Sequence, residues 1–440
     1  MVDDPGTASS GAGPSTALLT DHYELTMLQA ALASGVADEP VVFEVFARRL
    51  PPGRRYGVFA GIGRLLDLFE RFRFDAIVTQ ALRDLGIVDD VTARWLLERL
   101  GAPPRVDISG LVEGEAYGPM TPLLVVEGTF GEAVLLETLV LSVLNHDSAV
   151  AAAGARMIGA AAGRPCIDMG SRRTHEEAAV AAARAAYIVG FSATSNLAAG
   201  YRYDVPTTGT SAHAFTLAHA TERDAFASQV ASLGPQTTLL VDTYDVMEGV
   251  RTAVEVAGPG LGAVRLDSGD LGALAVDVRA LLDSLGATNT RIIVTSDLDE
   301  YAIAGLSSAP VDGYGVGTAL VTGSGAPAAG FVYKLVERNG TPMVKRSPGK
   351  LSRGGRKSVS RRFGDDGVAL EDLVVPGPQS PVGARLRPLH VTHVRRGELA
   401  AETSLAESRR RWNESFAELA PPAQQLSAGD PVLPATFEGF

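Results

Sequence analysis

Cysteine is almost missing from this chain. Cys166 stands alone among 440 residues, so no internal disulfide can form. The N-terminus also lacks a signal-peptide pattern, and together these point to the reducing cytoplasm. Positive charge is short as well: 39 Lys and Arg face 51 Asp and Glu, a net charge of −12. A nucleic-acid binder usually carries a basic surplus, so no nucleic-acid partner is expected. An anionic small substrate stays open, because a site needs only local positive charge. No apolar run is long enough to cross a hydrocarbon core of ~30 Å. The longest, near Ala133–Leu144, carries Glu137 and reads as a buried helix, so no membrane partner is expected. No His/Cys cluster has metal-ligand spacing, which argues against zinc. Neither a GxSxG elbow nor a Walker A sequence occurs.

What is present is an ordinary globular composition, with 46% apolar and 20% charged residues. The length suits two or three domains of roughly 100–200 residues each. Residues 1–15 are mostly Gly, Ser, Ala, Thr and Pro and read as a disordered tail. Thr20 or Asp21 can cap a helix that runs to Ala33, Val41–Phe46 reads as a strand, and helix dominates from about Gly131 to Gly163.

The middle of the chain then repeats one pattern, an apolar run that ends in polar residues. Cys166–Met169 ends in Gly170–Ser171–Arg172–Arg173, and Tyr187–Phe191 leads to Ser192–Asn196. A third segment ends at Thr208–Gly209–Thr210–Ser211–Ala212–His213. Leu239–Val241 ends in Asp242–Thr243, Ala263–Leu266 in Asp267–Ser268–Gly269–Asp270, Ile292–Val294 in Thr295–Ser296–Asp297, and Val311–Tyr314 in Gly315–Val316–Gly317–Thr318. Seven strand–helix units predict a parallel sheet. An α/β barrel explains them best, because its chemistry gathers at the C-terminal strand ends. A doubly wound open sheet is the alternative. After Val336 the composition shifts. Lys345–Arg362 holds eight positive charges and no acid, and reads as a surface hairpin that could reach over a polyphosphate. A charged helix is expected near Glu402–Leu419, followed by about twenty loosely packed residues. The domain reading is an α/β domain built from 16–145 and 337–440, with a barrel over 146–336.

Several strand ends carry chemistry. Gly317 and Thr318 follow a late strand and open a helix, a natural phosphate site, although a tight turn would look the same. Asp242, Asp267 and Asp270 suit Mg²⁺ beside a polyphosphate or ribose hydroxyls, and Asp residues at strand-to-helix turns also cap helices. Asp245 reads as a cap. Arg265 interrupts an apolar strand and must meet an acid or an anionic ligand. Arg172 and Arg173 suit phosphate or carboxylate, and either can pair with Glu176 or Glu177. His213 can move a proton or accept a phosphoryl group.

In order and spacing, these motifs resemble nicotinate phosphoribosyltransferases. The resemblance runs from Leu18 to about Arg362 through Thr20–Asp21–His22–Tyr23–Glu24–Leu25–Thr26–Met27, Phe43–Glu44–Val45–Phe46, Tyr56–Gly57–Val58–Phe59–Ala60–Gly61, Gly209–His213, Val264–Asp270 and Gly315–Thr318. It implies an irregular α/β barrel of the type II phosphoribosyltransferase kind, with an adjoining α/β domain, in a homodimer that shares its active sites. It implies transfer from phosphoribosyl pyrophosphate to nicotinate with Mg²⁺ and with ATP as co-substrate, the entry to NAD salvage. By match to the family's motifs, His213 is the histidine phosphorylated by ATP and Tyr23 the aromatic stacked on the pyridine ring. Thr210 and Arg265 lie near nicotinate, Gly317 and Thr318 at the 5′-phosphate, and Arg172 and Gly269 elsewhere on the substrate. Asp242 and Asp267 hold ribose and Mg²⁺–pyrophosphate. Met169 departs from the related nicotinamide enzymes, which have a stacking aromatic there. Nicotinamide and quinolinate phosphoribosyltransferases, and a non-catalytic nucleotide-sensing barrel, are the alternatives.

Overall fold

The computed structural model describes residues 13–344, 353–400 and 404–440. The chain forms two compact units, residues 150–327 and a second unit assembled from the flanking segments up to 149 and from 328. The break falls inside the helix Glu137–Ala161. By length and composition that helix could cross a membrane, but two-thirds of its apolar window is buried in the protein, where Leu139, Val140, Val143 and Leu144 pack.

Residues 150–327 hold one parallel sheet of six strands. They are β1 (Cys166–Asp168), β2 (Ala193–Thr194), β3 (Thr238–Leu240), β4 (Ala263–Leu266), β5 (Arg291–Val294) and β6 (Gly313–Val316). Their order is β2-β1-β6-β5-β4-β3 and every pairing is parallel, giving the curled half-barrel of an irregular α/β barrel. Leu239, Leu240, Val264, Leu266, Ile292 and Val294 are fully buried, as expected of strands covered on both faces. Aspartates start the helices that follow. Asp245 accepts from Glu248 N at 2.9 Å, Asp270 from Ala273 N at 3.2 Å and Asp299 from Ala302 N at 2.8 Å. Each cap satisfies an amide that has no partner inside its helix. Asp270 thus serves as a cap, one of the two readings its position offered.

Two sequence expectations in this sheet also change. Tyr187 and Ile188 end a helix, Glu176–Ile188, and the strand begins only at Ala193. The segment that ends at His213 adds no seventh strand. It makes a single bridge, Thr194 to Thr207, and is then a loop. Pro206 brings no amide donor, and the Gly/Thr/Ser run that follows has little apolar surface to bury.

The other unit is built on a seven-stranded antiparallel sheet. Pro40–Ala47 lies inside it between Phe331–Arg338 and Leu124–Thr129. Phe43 stacks on Tyr333 with ring centroids 4.6 Å apart, so the two ends of the chain share one core. A four-stranded sheet joins Lys357–Phe363 to Ala369–Pro376, Leu386–Pro388 and Ala435–Phe437. The final residues thus contribute a paired strand and a fully buried Leu433, contrary to the loose packing expected.

The basic run is also corrected where it is described; residues 345–352 and 1–12 lie outside the described residues. Lys357 and Arg361 are buried in the strand Lys357–Phe363. Lys357 pairs with Glu44 at 3.0 Å. Arg361 meets Asp372 at 2.9 Å and Glu115 at 2.6 Å, and donates to Ala116 O at 2.7 Å. Glu115 also takes Arg387 at 3.0 Å and the Ser415 hydroxyl at 2.8 Å. These cations neutralise acids inside their own unit. Arg361→Ala leaves Asp372 and Glu115 buried with a partner gone, and should cost roughly 3–5 kcal/mol of stability. Urea unfolding monitored by circular dichroism measures it, and a loss under about 1 kcal/mol would mean that the network behaves like a surface pair.

Candidate active site

Strands β3, β4, β5 and β6 end on one side of the sheet, and their last residues meet there. Arg265 lies within β4 with a side chain only 12% exposed. Its Nη1 donates to Thr210 Oγ1 at 2.7 Å and to Ser211 O at 3.2 Å. Its Nη2 lies 3.9 Å from Asp267 Oδ2. The charge that broke the apolar pattern thus anchors the polar loop ahead of His213. Burial, with Arg172 adding to it, pushes the guanidinium down from its ordinary value, while Asp267 and Asp242 oppose that.

Asp242 follows β3 and its side chain is 1% exposed. Oδ2 accepts Asp267 N at 2.9 Å and Ser268 Oγ at 2.7 Å, which ties the end of β3 to the end of β4. Oδ1 is buried and has no hydrogen-bond partner, and the same holds for Arg265 Nε. An open carboxylate oxygen and an open guanidinium nitrogen, both out of water, are costly unless something else completes them. Asp267 Oδ1 in turn accepts the Thr295 hydroxyl at the end of β5.

His213 begins the short helix His213–Leu217 and its side chain is 41% exposed. Nδ1 shares a hydrogen bond of 3.1 Å with Thr243 Oγ1. Nε2 faces two carboxylates, Asp242 Oδ1 at 3.9 Å and Asp267 Oδ2 at 3.8 Å. A histidine held by one nitrogen, with the other free and facing acids, is arranged for proton or phosphoryl transfer.

A cleft of about 230 Å³ opens beside these groups, lined by Met169, Arg172, Arg173, Arg265, Asp267 and Thr318 among others. Its cationic wall comes from the turn after β1. Asp168 shapes that turn: it accepts Gly170 N at 2.8 Å and the Thr194 hydroxyl at 2.6 Å. Burial pushes its carboxyl up, against both of those bonds. Glu177, a candidate partner for the arginines, holds Arg202 at 2.6 Å. Gly317 and Thr318 close the cleft after β6, and Gly269 sits at the exposed turn after β4 with φ +84°. Tyr23 belongs to the other unit, in the first turn of His22–Ser34.

The sequence reading passed over Thr243 and Thr295, which orient His213 and Asp267. It also passed over Ser296, which lines the cleft at φ +117°. A serine rarely adopts that backbone, and such strain clusters at functional sites. All three stand at strand ends beside the marked aspartates, where hydroxyl residues are ordinary turn formers. Glu222 was missed too. Burial and the neighbouring charges of Asp242, Asp245 and Glu248 push its carboxyl up to about 7. Among the described residues no group of three or more His, Cys, Asp or Glu side chains is placed to hold a metal alone.

The curled parallel α/β sheet thus gathers a histidine, acids and arginines at its strand ends. Residues 18–145 match the family model described as the nicotinate phosphoribosyltransferase (NAPRTase) N-terminal domain. Nicotinate phosphoribosyltransferase pncB1 of Mycobacterium tuberculosis is 56% identical over 426 residues, covering 95% of this chain and 94% of that protein. The crystal structure of human nicotinic acid phosphoribosyltransferase superposes with a TM-score of 0.81 at 26% identity, covering 94% of this chain and 97% of that one. That of nicotinate-nucleotide pyrophosphorylase from Pyrococcus furiosus gives 0.76 at 26% identity, with 91% and 95% covered. The chain belongs to the nicotinate phosphoribosyltransferase family.

Gly315 sets the depth of the cleft. A Cβ there would lie 2.5 Å from Thr295 Cγ2 and 2.7 Å from Met169 Sδ. Gly315→Ala must therefore displace both, at roughly 1–3 kcal/mol. The expected result is a lower melting temperature and lower kcat/KM, with Met169→Ala in the same chain recovering part of each. A variant with wild-type melting and kinetics would show that the contact does not shape the site.

Proposed function

We propose that the protein transfers the phosphoribosyl group of phosphoribosyl pyrophosphate to nicotinate, giving nicotinate mononucleotide and pyrophosphate, and couples this to ATP through a phosphohistidine at His213. The observation that carries the reading is the pair of open buried atoms, Asp242 Oδ1 and Arg265 Nε, beside a free histidine nitrogen. The pyridine nitrogen forms a bond to ribose C1 as the C1–O bond to pyrophosphate breaks, and that electron pair leaves with the pyrophosphate oxygen. Positive charge builds on the ribose in between, and the fixed carboxylates of Asp242 and Asp267 favour it.

Arg265 is held in place by Thr210, so its guanidinium can take the nicotinate carboxylate without first ordering itself. That contact favours the acid over the amide. Gly317 and Thr318 take the 5′-phosphate, and Arg172 and Gly269 other polar groups of the substrate. Tyr23, supplied across a homodimer interface, stacks on the pyridine ring.

When Nδ1 of His213 donates to Thr243 Oγ1, the lone pair is on Nε2. Nε2 then attacks the γ-phosphorus of ATP, and the bond from that phosphorus to the ADP oxygen breaks. The phosphoryl group brings about −1.5 to −2 charges beside Asp242 and Asp267. That added charge favours the state in which cationic groups close over it, and hydrolysis of the N–P bond resets the site. Magnesium fits the donor set, because this ion takes one or two carboxylates and fills its shell with phosphate oxygens. Asp242 Oδ1, buried and without a partner, and Asp267 would be the protein's share. When bound, the ion neutralises charge on the leaving pyrophosphate. A cytoplasmic homodimer acting in NAD salvage completes the proposal.

Product formation from phosphoribosyl pyrophosphate and Mg²⁺, with nicotinate, nicotinamide or quinolinate offered separately and with or without ATP, tests the reading. Turnover of nicotinate, enhanced by ATP, is expected. Turnover of either other acceptor in its place would overturn the pocket assignment. His213→Ala should abolish the stimulation by ATP and leave slow ATP-independent transfer; full stimulation in that variant would remove His213 from the coupling. Arg265→Ala should raise the KM for nicotinate at least about tenfold, as expected for a lost charge-assisted pair. An unchanged KM would reassign the carboxylate contact.

A further inference from the structure

Arg172 and Arg173 are both exposed, and an arginine on a surface turn is ordinarily no more than a solvated charge. The turn that carries them is built more firmly than that use requires. Asp168 accepts Gly170 N and the Thr194 hydroxyl, Arg173 N donates to Gly170 O at 2.8 Å, and the Asn196 side-chain amide donates to Ser171 Oγ at 3.1 Å. Met169 N donates to Val316 O at 2.8 Å, which ties the turn to the end of β6. A Cβ at Gly170 would collide with Val321 Cγ1 and stand 3.3 Å from Gly317 O. The turn after β1 and the turn after β6 are thus pressed together with no room for a side chain at their contact.

Both arginines line the cleft, together with Gly317 and Thr318. Among the described residues neither guanidinium has an ion pair. Glu177 is bound to Arg202, and Glu176 stands 3.7 Å from His175. Arg173 is the one that lies against the β6 turn. A Cβ at Gly317 would lie 3.9 Å from Arg173 Cγ, an ordinary contact, so the arginine stem crosses the bare face of that glycine. Gly317 and Thr318 offer hydrogen bonds to an anion but no charge. A phosphate drawn out of water needs both.

We propose that Arg173 binds the 5′-phosphate of the phosphoribosyl group, its fork meeting the phosphate that Gly317 and Thr318 also hold. The proposal rests on the placing of that phosphate at Gly317 and Thr318. A guanidinium meets phosphate oxygens through two parallel charge-assisted bonds. A fixed turn presents the stem already aimed, so less ordering is lost when the ligand arrives. The 5′-phosphate takes no part in bond making or breaking. Its contact with Arg173 therefore persists from substrate to product and acts on binding more than on kcat.

Calorimetric titration of the whole protein with phosphoribosyl pyrophosphate, ribose 5-phosphate and pyrophosphate, each with Mg²⁺, tests this in the wild type, Arg173→Met, Arg173→Lys and Thr318→Val. Arg173→Met keeps an unbranched apolar stem over Gly317 and removes the fork, so the melting temperature should not change. Its Kd for phosphoribosyl pyrophosphate and for ribose 5-phosphate should rise at least about tenfold, and its Kd for pyrophosphate less than about twofold. Arg173→Lys keeps the charge without the fork and should fall between wild type and Arg173→Met. Loss confined to pyrophosphate, equal loss for all three ligands, or no loss in Arg173→Met would overturn the proposal. Thr318→Val examines the placing of the phosphate itself and should weaken ribose 5-phosphate. Wild-type binding of ribose 5-phosphate by Thr318→Val would defeat that placing, the reading beneath the proposal. Weakened binding by Thr318→Val with wild-type binding by Arg173→Met would defeat the proposal alone.

Discussion

Asp242 is the constraint from which the site follows. A carboxylate taken out of water is expensive unless bonds replace its hydration. Here one oxygen is met by the Asp267 amide and the Ser268 hydroxyl, which fixes the spacing of two neighbouring strand ends. Asp267 passes the constraint on to Thr295 at the next strand, and Arg265 passes it to Thr210 and the loop that leads to His213. The second oxygen of Asp242 is left open in the same burial.

The buried charges of the other unit make the contrast. Arg361 is as deeply buried as any group in the chain, yet its guanidinium meets Asp372, Glu115 and the Ala116 carbonyl. Burial alone would raise the Glu115 carboxyl, and Arg361, Arg387 and Arg411 together hold it below its ordinary value. These acids and cations neutralise one another and join segments far apart in sequence. Burial of charge is common to both units. What differs is that Asp242 Oδ1 and Arg265 Nε stand together beside a cleft at the strand ends.

Much of this was legible in the sequence, for reasons that can be named. A buried parallel strand needs a short run of apolar residues, and its end at the active face needs polar ones. That change of character marked Asp242, Asp267 and Gly317, and a charge inside an apolar run marked Arg265, without any knowledge of packing. The same rule misled where the apolar run was the end of a helix, as at Tyr187–Ile188, and where a polar turn contributed only one bridge, as at Thr207. The basic run was misread because composition counts charges and not their partners. Arg361 finds Glu115 across most of the chain, a pairing that no local window contains. Thr243 and Ser296 were hidden for another reason: hydroxyl residues are ordinary in turns, and only geometry shows which one orients a histidine or bears a strained backbone.

The antiparallel sheet pairs Pro40–Ala47 with Phe331–Arg338, so an inner strand has a neighbour that lies beyond the whole of the other unit in the sequence. On the ribosome, the residues of the parallel sheet emerge as one continuous stretch and can collapse before the sheet around them is complete. Meanwhile Val41, Phe43 and Val45 have no strand on one side and an apolar face with no cover. Such a surface pairs with whatever reaches it first. Synthesis is therefore the period in which this protein is most exposed to misassembly, and the hazard ends only when the C-terminal segment arrives to close the sheet.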